Sequence, residues 1–333
     1  MEKEVSAAPR GRQLKRLVID NNSALILIAL LCLSLLFVDG MTNSFYNVIV
    51  HSSIYGLVAL GLSLVMITGN SDLSIGYQAG TAGVVAVTVF NAVYAGGAGS
   101  GVLALLLSAA AAMASGALTG ALNGFVVTKV GVSPLITTIA TNYIYKGIVF
   151  YFAQNAYSAE GDAIKTVAGT QIGGMRWLTP TVLIFVLFIA AFAFVMYKTR
   201  FGNSLYIVGD NPEAGAYAGI SVSGTVWKAY IICGVLAALT GFFLVSRAGN
   251  AIYTQGQGLE TFAISACVLG GIKMSGGKGT MVHVLLGVVI MRTIQTIMST
   301  MFLPTAWVNF ISGALLILVL IVDRITTTKS AER

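Results

Sequence analysis

The most unusual polar stretch of this sequence, GNSDLSIGYQAG at residues 69–80, separates two long apolar runs. The Asp72 carboxylate and the Ser74 hydroxyl can cap the helix that follows, which would make the stretch a plain turn. Alternatively, the stretch is a helix break buried in protein beside a watery path, because irregular backbone cannot face lipid. An ionisable residue near membrane depth favours the second interpretation. Gly76 and Gly80 share one helix face and allow close contact with a neighbouring helix.

A second polar stretch, GGIKMSGGKGT at residues 270–280, echoes the first and also opens an apolar run. Shifting the sequence by 201 positions aligns Ser74 with Ser275 and Gly76 with Gly277. Broken segments at corresponding places in two halves are typical of transporters built from repeats. We therefore predict two pseudo-repeated halves, and the echo leaves open whether they are parallel or inverted.

The Gly277-Lys278-Gly279 triplet does not form a phosphate-binding loop. Such a loop needs a glycine five residues before its second glycine, and then Lys followed by Ser or Thr. Here Ile272 holds the first position and Gly279 the last. We expect this chain to bind no cofactor, so that any ATP and Mg are held by another polypeptide.

Polar residues recur at helical spacing inside two apolar runs. Thr138, Asn142 and Lys146 are each four residues apart, so they share one face of a helix. This face predicts contact with a cavity or a neighbouring helix, unless Lys146 simply extends its amine toward water. Asn309 and Ser312 mark a similar but weaker face near the end of the chain.

Three glycines in another run, Gly116, Gly120 and Gly124, form a stripe of small residues. A stripe with this spacing predicts close helix packing, with no chemistry of its own.

Several functional classes are disfavoured by the residues present. No Ser/His/Asp, Cys/His or paired-carboxylate arrangement is visible, so we do not expect an enzyme. His51 and His283 lie far apart without an HxxxH partner, which argues against a metal site. The three cysteines all fall in apolar runs and are expected to pack there. The basic residues are scattered over short loops, so nucleic-acid binding is not indicated.

Composition places the chain in a lipid bilayer. Its 333 residues are 56% hydrophobic and only 9% charged, against roughly 25% charged in soluble domains. The apolar runs are continuous and of the length that a helix needs to cross a membrane, which favours helices over a barrel. We therefore predict an all-α, polytopic membrane helical bundle. About ten spans are expected, at residues 23–39, 47–68, 79–95, 102–128, 134–152, 179–198, 226–247, 261–272, 280–300 and 305–323.

The fourth of these spans is long enough to be tilted or broken, and the eighth is short enough to be a partial crossing. The first, 23–39, follows a basic segment but no small-residue cleavage site follows it, so we interpret it as an uncleaved span. When the spans are counted from the N-terminus, most of the 19 Lys and Arg residues lie in segments on the same side of the membrane as the N-terminus. Because Lys and Arg concentrate in cytoplasmic segments, and the number of spans is even, we predict that both termini face the cytoplasm.

The same pattern divides the chain into segments. Residues 1–22 and 324–333 are predicted as cytoplasmic tails that flank a transmembrane domain at 23–323. Within that domain we expect an extracytoplasmic loop at 153–178 and a cytoplasmic loop at 199–225.

The most specific text of the sequence is TRFGNSLYIVGDNPEAGAYAGI at residues 199–220. It resembles the large cytoplasmic loop of bacterial monosaccharide-type ABC importer permeases, a family that includes the ribose, galactose and autoinducer-2 permeases. GNSDLSIG, GVSPLITTIAT at 131–141 and LGGIKMSGGKGT are similar to further motifs of that family, with Asn70 where glycine is common. The resemblance covers about residues 45–325.

The resemblance implies a short coupling helix that docks on a cytoplasmic ATPase. When the family's coupling-helix motif is carried over residue by residue, it matches Gly209, Asn211, Pro212, Glu213, Ala214 and Gly219. The local sequence agrees, since Asn211 is a good helix cap, Pro212 suits the first helical position and Glu213 lies near the positive end of the helix dipole.

The resemblance also implies the partners and the location of the protein. These are a second permease chain in a homo- or heterodimer, an ABC ATPase subunit and an extracytoplasmic solute-binding protein, in a bacterial inner membrane. The solute would be sugar-like. From the polar stretches and helix faces described above, we predict a translocation path or broken-helix segments at Asp72, Ser74, Gly76, Thr138, Asn142, Ser275, Gly277 and Asn309. The alternative is a stand-alone secondary transporter, which would need an intramembrane ion site. Asp72, Glu260, His51 and His283 are its candidates.

Overall fold

The computed structural model describes residues 41–95 and 101–331. The predicted tail 1–22 and the predicted first span 23–39 lie outside the described residues. Within them, twelve α-helices follow one another: α1 Met41–Ile67, α2 Ile75–Ala95, α3 Gly101–Phe125, α4 Pro134–Ala153, α5 Ala163–Gly169, α6 Pro180–Lys198, α7 Arg200–Asp210, α8 Pro212–Tyr217, α9 Val222–Ala248, α10 Leu259–Gly270, α11 Met281–Thr300 and α12 Thr305–Ala331.

Nine of the described helices overlap runs that the sequence predicts as spans, whereas α5, α7 and α8 lie in the two predicted loops. Six described segments are long and apolar enough to cross a membrane: Phe45–Ile67, Ile75–Ala95, Gly101–Val130, Pro180–Lys198, Val222–Ala248 and Met281–Thr300. This establishes a polytopic helical membrane protein. The helix α10 has 12 residues, about 18 Å of rise, so alone it is too short to cross a hydrocarbon core of about 30 Å.

The long fourth run is interrupted near its end. The helix α3 passes into a five-residue π-helical turn, Val126–Val130, which Gly131 ends in the left-handed conformation at φ 83°. A residue with a side chain would be strained there. Pro134 then occupies the first turn of α4, a position where its missing N–H costs no hydrogen bond.

The centre of the bundle is α9, which packs against α1, α2 and α3. Its side chains Tyr230 and Phe243 are almost fully buried. Burial of such large apolar side chains is the main stabilising contribution where helices meet helices. The core therefore runs along α9, and the more exposed apolar faces of α4 and α6 lie at the periphery.

The predicted loop at 153–178 is folded locally. It contains α5 and a two-residue strand β1, Tyr157–Ser158, which pairs antiparallel with β2, Asn250–Ala251. The Asn91 side chain at the end of α2 donates to the Ser158 carbonyl at 3.0 Å and accepts from the Glu160 N–H at 2.9 Å. This small β pair is an addition to the all-α bundle that the sequence predicts.

Candidate functional site

Three segments distant in sequence meet at one end of the bundle. The N–H of Gly277 donates to the carbonyl oxygen of Ile67 at 2.9 Å. The Tyr206 hydroxyl donates to the carbonyl oxygen of Gly279 at 2.7 Å. We call this contact between residues 67–69, 206–210 and 276–279 the three-segment junction.

Gly209 lies in the tightest part of the three-segment junction. A Cβ atom at this position would overlap the carbonyl oxygen of Ile67 and would lie 2.6 Å from the Gly277 nitrogen. Only glycine lets the α7 backbone approach these two turns so closely. A displacement of α7 therefore acts directly on the turn after α1 and on the turn before α11.

The short helix α8 extends from the three-segment junction with most of its surface uncovered. The Asn211 side chain accepts a hydrogen bond from the Ala214 N–H at 2.9 Å, and Pro212 occupies the first turn. Glu213 lies exposed in that turn, while Tyr217 is 93% exposed. Gly219 ends the segment with φ +78° and open space around it.

The polar stretch after α1 is closed around a buried carboxylate. One Asp72 oxygen accepts from the Ser74 N–H at 2.9 Å and from the Ser74 hydroxyl at 2.6 Å. The other accepts from the Gln78 amide at 3.0 Å and from the Asn123 amide at 3.4 Å. Burial raises the pKa of Asp72, in the turn between helices, and these hydrogen bonds act in the opposite direction. We call Asp72, Ser74, Gln78 and Asn123 the Asp72 cluster.

The Asp72 cluster holds the break between α1 and α2 against two other helices. Asn123 belongs to α3, and its amide also donates to the Ser74 hydroxyl at 2.7 Å. The Tyr230 hydroxyl of α9 donates to the Ser71 carbonyl at 2.8 Å. Because all four side chains of the cluster are fully or almost fully buried, the arrangement can fix a turn but leaves Asp72 little room to bind a solute.

A large polar cavity lies at the other end of the bundle. Its volume is about 1240 Å³, and it is bounded by the first half of α1, the segment before α10, the second half of α11 and the start of α12. Its lining is rich in hydroxyl, amide and charged groups: Asn47, His51, Tyr55, Thr254, Gln257, Glu260, Thr261, Arg292, Gln295, Thr296, Ser299, Thr300, Asn309 and Ser312.

Comparison with known proteins identifies the family of the chain. Residues 44–320 match the protein family described as branched-chain amino acid transport system / permease component. The chain belongs to this permease family.

The permease is also similar to individual relatives. It is 33% identical to the autoinducer 2 import system permease protein LsrC of Photorhabdus laumondii, over 92% of this chain and 91% of the relative. It is 35% identical to the LsrC protein of Enterobacter sp. (strain 638), over 82% and 76%, and 33% identical to that of Yersinia pestis (strain Pestoides F), over 84% and 77%. No solved structure matches significantly. The permease is thus of the monosaccharide-type ABC importer class.

The permease brings together only some of the predicted path residues. Gly277 lies in the three-segment junction and Ser275 is exposed close to it. Gly76 instead faces α10, where a Cβ atom would overlap a carboxylate oxygen of Glu260 and the carbonyl oxygen of Gly256. Of the predicted path residues, Asn309 alone lines the cavity.

The polar face of α4 lies away from the cavity lining. Thr138 is fully buried and donates to the Pro134 carbonyl at 2.8 Å. Asn142 is partly buried, and its side-chain oxygen finds no hydrogen-bond partner among the described residues. The Lys146 amine lies 5.8 Å from the centre of the Tyr77 ring.

The glycine stripe of α3 lies against α9. A Cβ atom at Gly116 would overlap the carbonyl oxygen of Gly234, and one at Gly120 would overlap that of Tyr230. At Gly124 it would lie 2.6 Å from the Trp227 side chain. The absence of side chains along this stripe therefore sets the distance between α3 and the central helix.

The cavity residues Arg292 and Gln295 were not singled out from the sequence as candidates for a site. The available signal was an arginine inside an apolar run, which is costly unless it faces a partner or water. For His51 the sequence favours a packed or pore-facing side chain over a metal ligand, and in the structure it lines the cavity. Within the described residues no group of three potential metal ligands occurs.

Proposed function

We propose that the protein is the membrane-spanning subunit of an ATP-driven importer for a monosaccharide or a related small polar solute. The observation that carries this proposal is the three-segment junction, in which α7, followed directly by the exposed α8, contacts both the turn after α1 and the turn before α11. In this proposal the chain forms an alternating-access path and performs no chemistry. ATP and Mg bind to a separate cytoplasmic ATPase subunit.

The coupling step follows from the geometry around Gly209. An ATPase that bound the uncovered surface of α8 would move α7, because the two helices are joined at Asn211 and pack together. Since α7 touches the backbone of both turns without intervening side chains, the movement would reach α1 and α11 with little loss. Each state must make different contacts at this surface, or ATP could not shift the equilibrium between states.

Charge supports a cytoplasmic position for the three-segment junction. Lys198 and Arg200 flank the start of α7, and Lys273 and Lys278 belong to the turn before α11. Lys and Arg concentrate in cytoplasmic loops of membrane proteins. With this orientation, α1 runs inward and α2 outward. The predicted arrangement of about ten spans places both termini on the cytoplasmic side of a bacterial inner membrane.

The proposal extends to the partners. A second copy or a homologous chain would complete the path, and an extracytoplasmic solute-binding protein would deliver the solute to the end opposite the three-segment junction. The relatives named above are autoinducer 2 import permeases, whereas the family description names branched-chain amino acids. The polar lining of the cavity favours a hydroxylated solute.

The alternative, a secondary transporter, needs a free ion site within the membrane. Asp72 suits that role poorly, because both of its carboxylate oxygens already accept hydrogen bonds from Ser74, Gln78 and Asn123. Glu260, His51 and His283 remain as its candidate ion ligands.

Co-purification with a partner tests the proposal. The wild-type chain and a variant with residues 209–220 scrambled are expressed with ABC ATPase subunits of the same organism and extracted in detergent. We expect the wild type to retain an ATPase and the scrambled variant to lose it. A scramble of residues 170–176 in the opposite loop is the matched control and should retain the ATPase. Failure of the wild type to retain any ATPase would contradict the proposal and favour the secondary transporter.

A further inference from the structure

The helix α4 is long enough to span a membrane, but the rest of the chain leaves most of it uncovered. Its 20 residues rise about 30 Å, the thickness of a hydrocarbon core. Yet α4 is not among the six described segments that are apolar enough to cross a membrane. Its buried residues form a single stripe: Thr137, Thr138, Thr141, Tyr145, Val149 and Ala153. The opposite side of α4 must therefore lie against lipid, water or another protein.

Polar groups on the uncovered side make lipid an unfavourable neighbour for α4. Tyr143 is 67% exposed, and its place midway between Pro134 and Ala153 puts it about 14 Å from either helix end. No described residue forms a hydrogen bond with its hydroxyl. Lys146, one turn further along, is also exposed, although its amine lies 5.8 Å from the centre of the Tyr77 ring. An unpaired hydroxyl and a charged side chain at this depth are both costly in hydrocarbon.

The other peripheral helix, α6, has the composition of a lipid-facing helix. Its exposed side chains include Leu183, Leu187 and Phe194, and residues 182–196 contain no charged or hydroxyl side chain. The helix α6 is also one of the six apolar segments. The two helices are both exposed, but only α4 carries groups that lipid cannot satisfy. This difference indicates that α4 has a neighbour made of protein.

The outermost residues of α4 alternate between large and small with a seven-residue period. Ile136, Tyr143 and Phe150 are large, whereas Ala140 and Gly147 between them are small, and all five are exposed. We call these five residues the outer stripe. A seven-residue repeat keeps one seam of a helix against a partner helix, and small residues on the seam let two backbones approach closely. Because large residues can enter the gaps beside small ones, the outer stripe is complementary to a copy of itself.

The chain uses the same kind of contact inside its bundle. The Trp227 indole of α9 donates to the Ala121 carbonyl oxygen of α3 at 2.9 Å, beside the glycine stripe. The Tyr145 hydroxyl of α4 donates to the Thr119 carbonyl oxygen in that stripe at 3.3 Å. In each case an aromatic donor reaches a backbone carbonyl that small neighbours leave accessible. Between two copies of α4, the Tyr143 hydroxyl finds an acceptor in the same way.

Symmetry favours a second copy as the occupant. All copies of a membrane protein have the same orientation in the bilayer, so a symmetric pair forms about an axis along the membrane normal. Such a pair uses the same patch on both chains. It places the two α4 helices parallel, with each outer-stripe residue at the depth of its counterpart. A parallel pair of this kind is what a seven-residue repeat fits.

From these observations we propose that two copies of this permease pair through the outer stripe of α4. The assignment rests on the proposed function, which requires two permease chains. It adds the identity of the second chain and the helix that forms the contact. Pairing also removes Tyr143 from lipid.

Cross-linking of single cysteines in the membrane tests the pairing. Ala140→Cys and Gly147→Cys are each made in a Cys32→Ser background, because Cys233 and Cys267 are buried. Membranes from cells that express the full chain without an ATPase are treated with a short bifunctional methanethiosulfonate. The product is analysed by electrophoresis without reducing agent.

Two control positions distinguish a defined contact from random collision. Ile148→Cys lies beside Gly147 at the same depth, but it is turned by about 100° on the helix. Leu187→Cys lies in the exposed face of α6. We expect a cross-linked dimer from the two outer-stripe positions and little or none from the two controls.

Filling the gap at Gly147 should separate the two copies. Nothing in its own chain lies within 4 Å of an added Cβ atom, so Gly147→Leu should fold. Its side chain would occupy the space that the partner's Tyr143 needs. The cross-link of Ala140→Cys should be lost, and the purified variant should elute as one species at the monomer position, whereas the wild type elutes as a dimer. Ala190→Leu, an exposed small-to-large change in α6, should alter neither result.

Absence of a cross-link at positions 140 and 147, or equal cross-linking at positions 148 and 187, would overturn the contact. So would a cross-link that survives in Gly147→Leu. A cross-link that forms only with a co-expressed homologous permease chain would overturn the second copy as the partner. These measurements need no ATPase, whereas the proposed function is tested by ATPase retention through residues 209–220. The two proposals therefore fail separately.

Discussion

Gly277 and Ile67 belong to opposite halves of the chain, yet the N–H of one donates to the carbonyl oxygen of the other at 2.9 Å. Gly209 lies against both residues, and only its lack of a side chain permits the contact. One segment of the cytoplasmic loop can therefore act on both halves of the bundle at the same time.

Substituting Gly209 should uncouple the permease. In Gly209→Ala the new methyl group overlaps the Ile67 carbonyl oxygen, so α7 must move away from both turns. We expect ATP-dependent uptake in proteoliposomes to fall strongly, with ATPase retention preserved. Gly215→Ala is the matched control, because its Cβ atom would lie 3.4 Å from the nearest Ile207 atom. Normal uptake by Gly209→Ala would show that the close contact is not needed for coupling.

Reversing the charge of Glu213 should weaken the contact with the ATPase. Lysine at this position places a positive charge at the positive end of the α8 dipole, on a surface that we expect the partner to cover. Glu213→Lys should lose transport while the thermal unfolding of the chain in detergent stays unchanged. The control is Glu160→Lys, an equally exposed reversal in the opposite loop. If Glu213→Lys transports normally, the assignment of α8 as a coupling helix is wrong.

Removing the Asp72 carboxylate should destabilise the bundle. Asp72→Ala leaves the Ser74 N–H and the Ser74 hydroxyl without the acceptor that Asp72 provides, at a cost of about 1–3 kcal/mol for each donor that stays buried and unsatisfied. The Gln78 and Asn123 amides lose one of their two acceptors and keep the Ser74 hydroxyl. A lower midpoint of thermal unfolding in detergent is the expected result. Asn123→Ala should be less than additive with it, because both changes disrupt the same cluster.

An aspartate outside the cluster provides the comparison. Asp162 is exposed, and the Lys165 amine bound at 2.8 Å lowers the pKa of its carboxyl group. Asp162→Ala should leave the unfolding midpoint unchanged, because exposed ion pairs contribute little. An equal loss of stability in Asp72→Ala and Asp162→Ala would argue against a special role for the buried cluster.

Side chains added to the glycine stripe should separate α3 from α9. Gly120→Leu places a branched side chain where even a Cβ atom overlaps the Tyr230 carbonyl oxygen. We expect loss of the folded, monodisperse species in gel filtration, since overpacking a close helix contact costs about 1–3 kcal/mol or more. Gly147→Leu in α4, where nothing lies within 4 Å of an added Cβ atom, should remain monodisperse.

Local sequence was sufficient to predict the long helices and the N-terminal cap of α8. Continuous apolar runs determine helical spans because a backbone in hydrocarbon must satisfy its own hydrogen bonds. Asn211, Pro212 and Glu213 determine a helix start because each acts within one turn of its own position. The motifs between residues 69 and 280 also indicated the family, which the comparison with known proteins confirmed.

The tertiary structure decided which polar residues meet. Asp72 lies in the turn between α1 and α2, whereas its partner Asn123 lies on α3. The sequence could not distinguish an open path from a closed cluster at that point. His51, Glu260, Arg292 and Asn309 form one cavity only because α1, α10, α11 and α12 pack around it. Such contacts depend on how helices are rotated and placed against one another. That placement is set by packing across the whole bundle, which no short stretch of sequence contains.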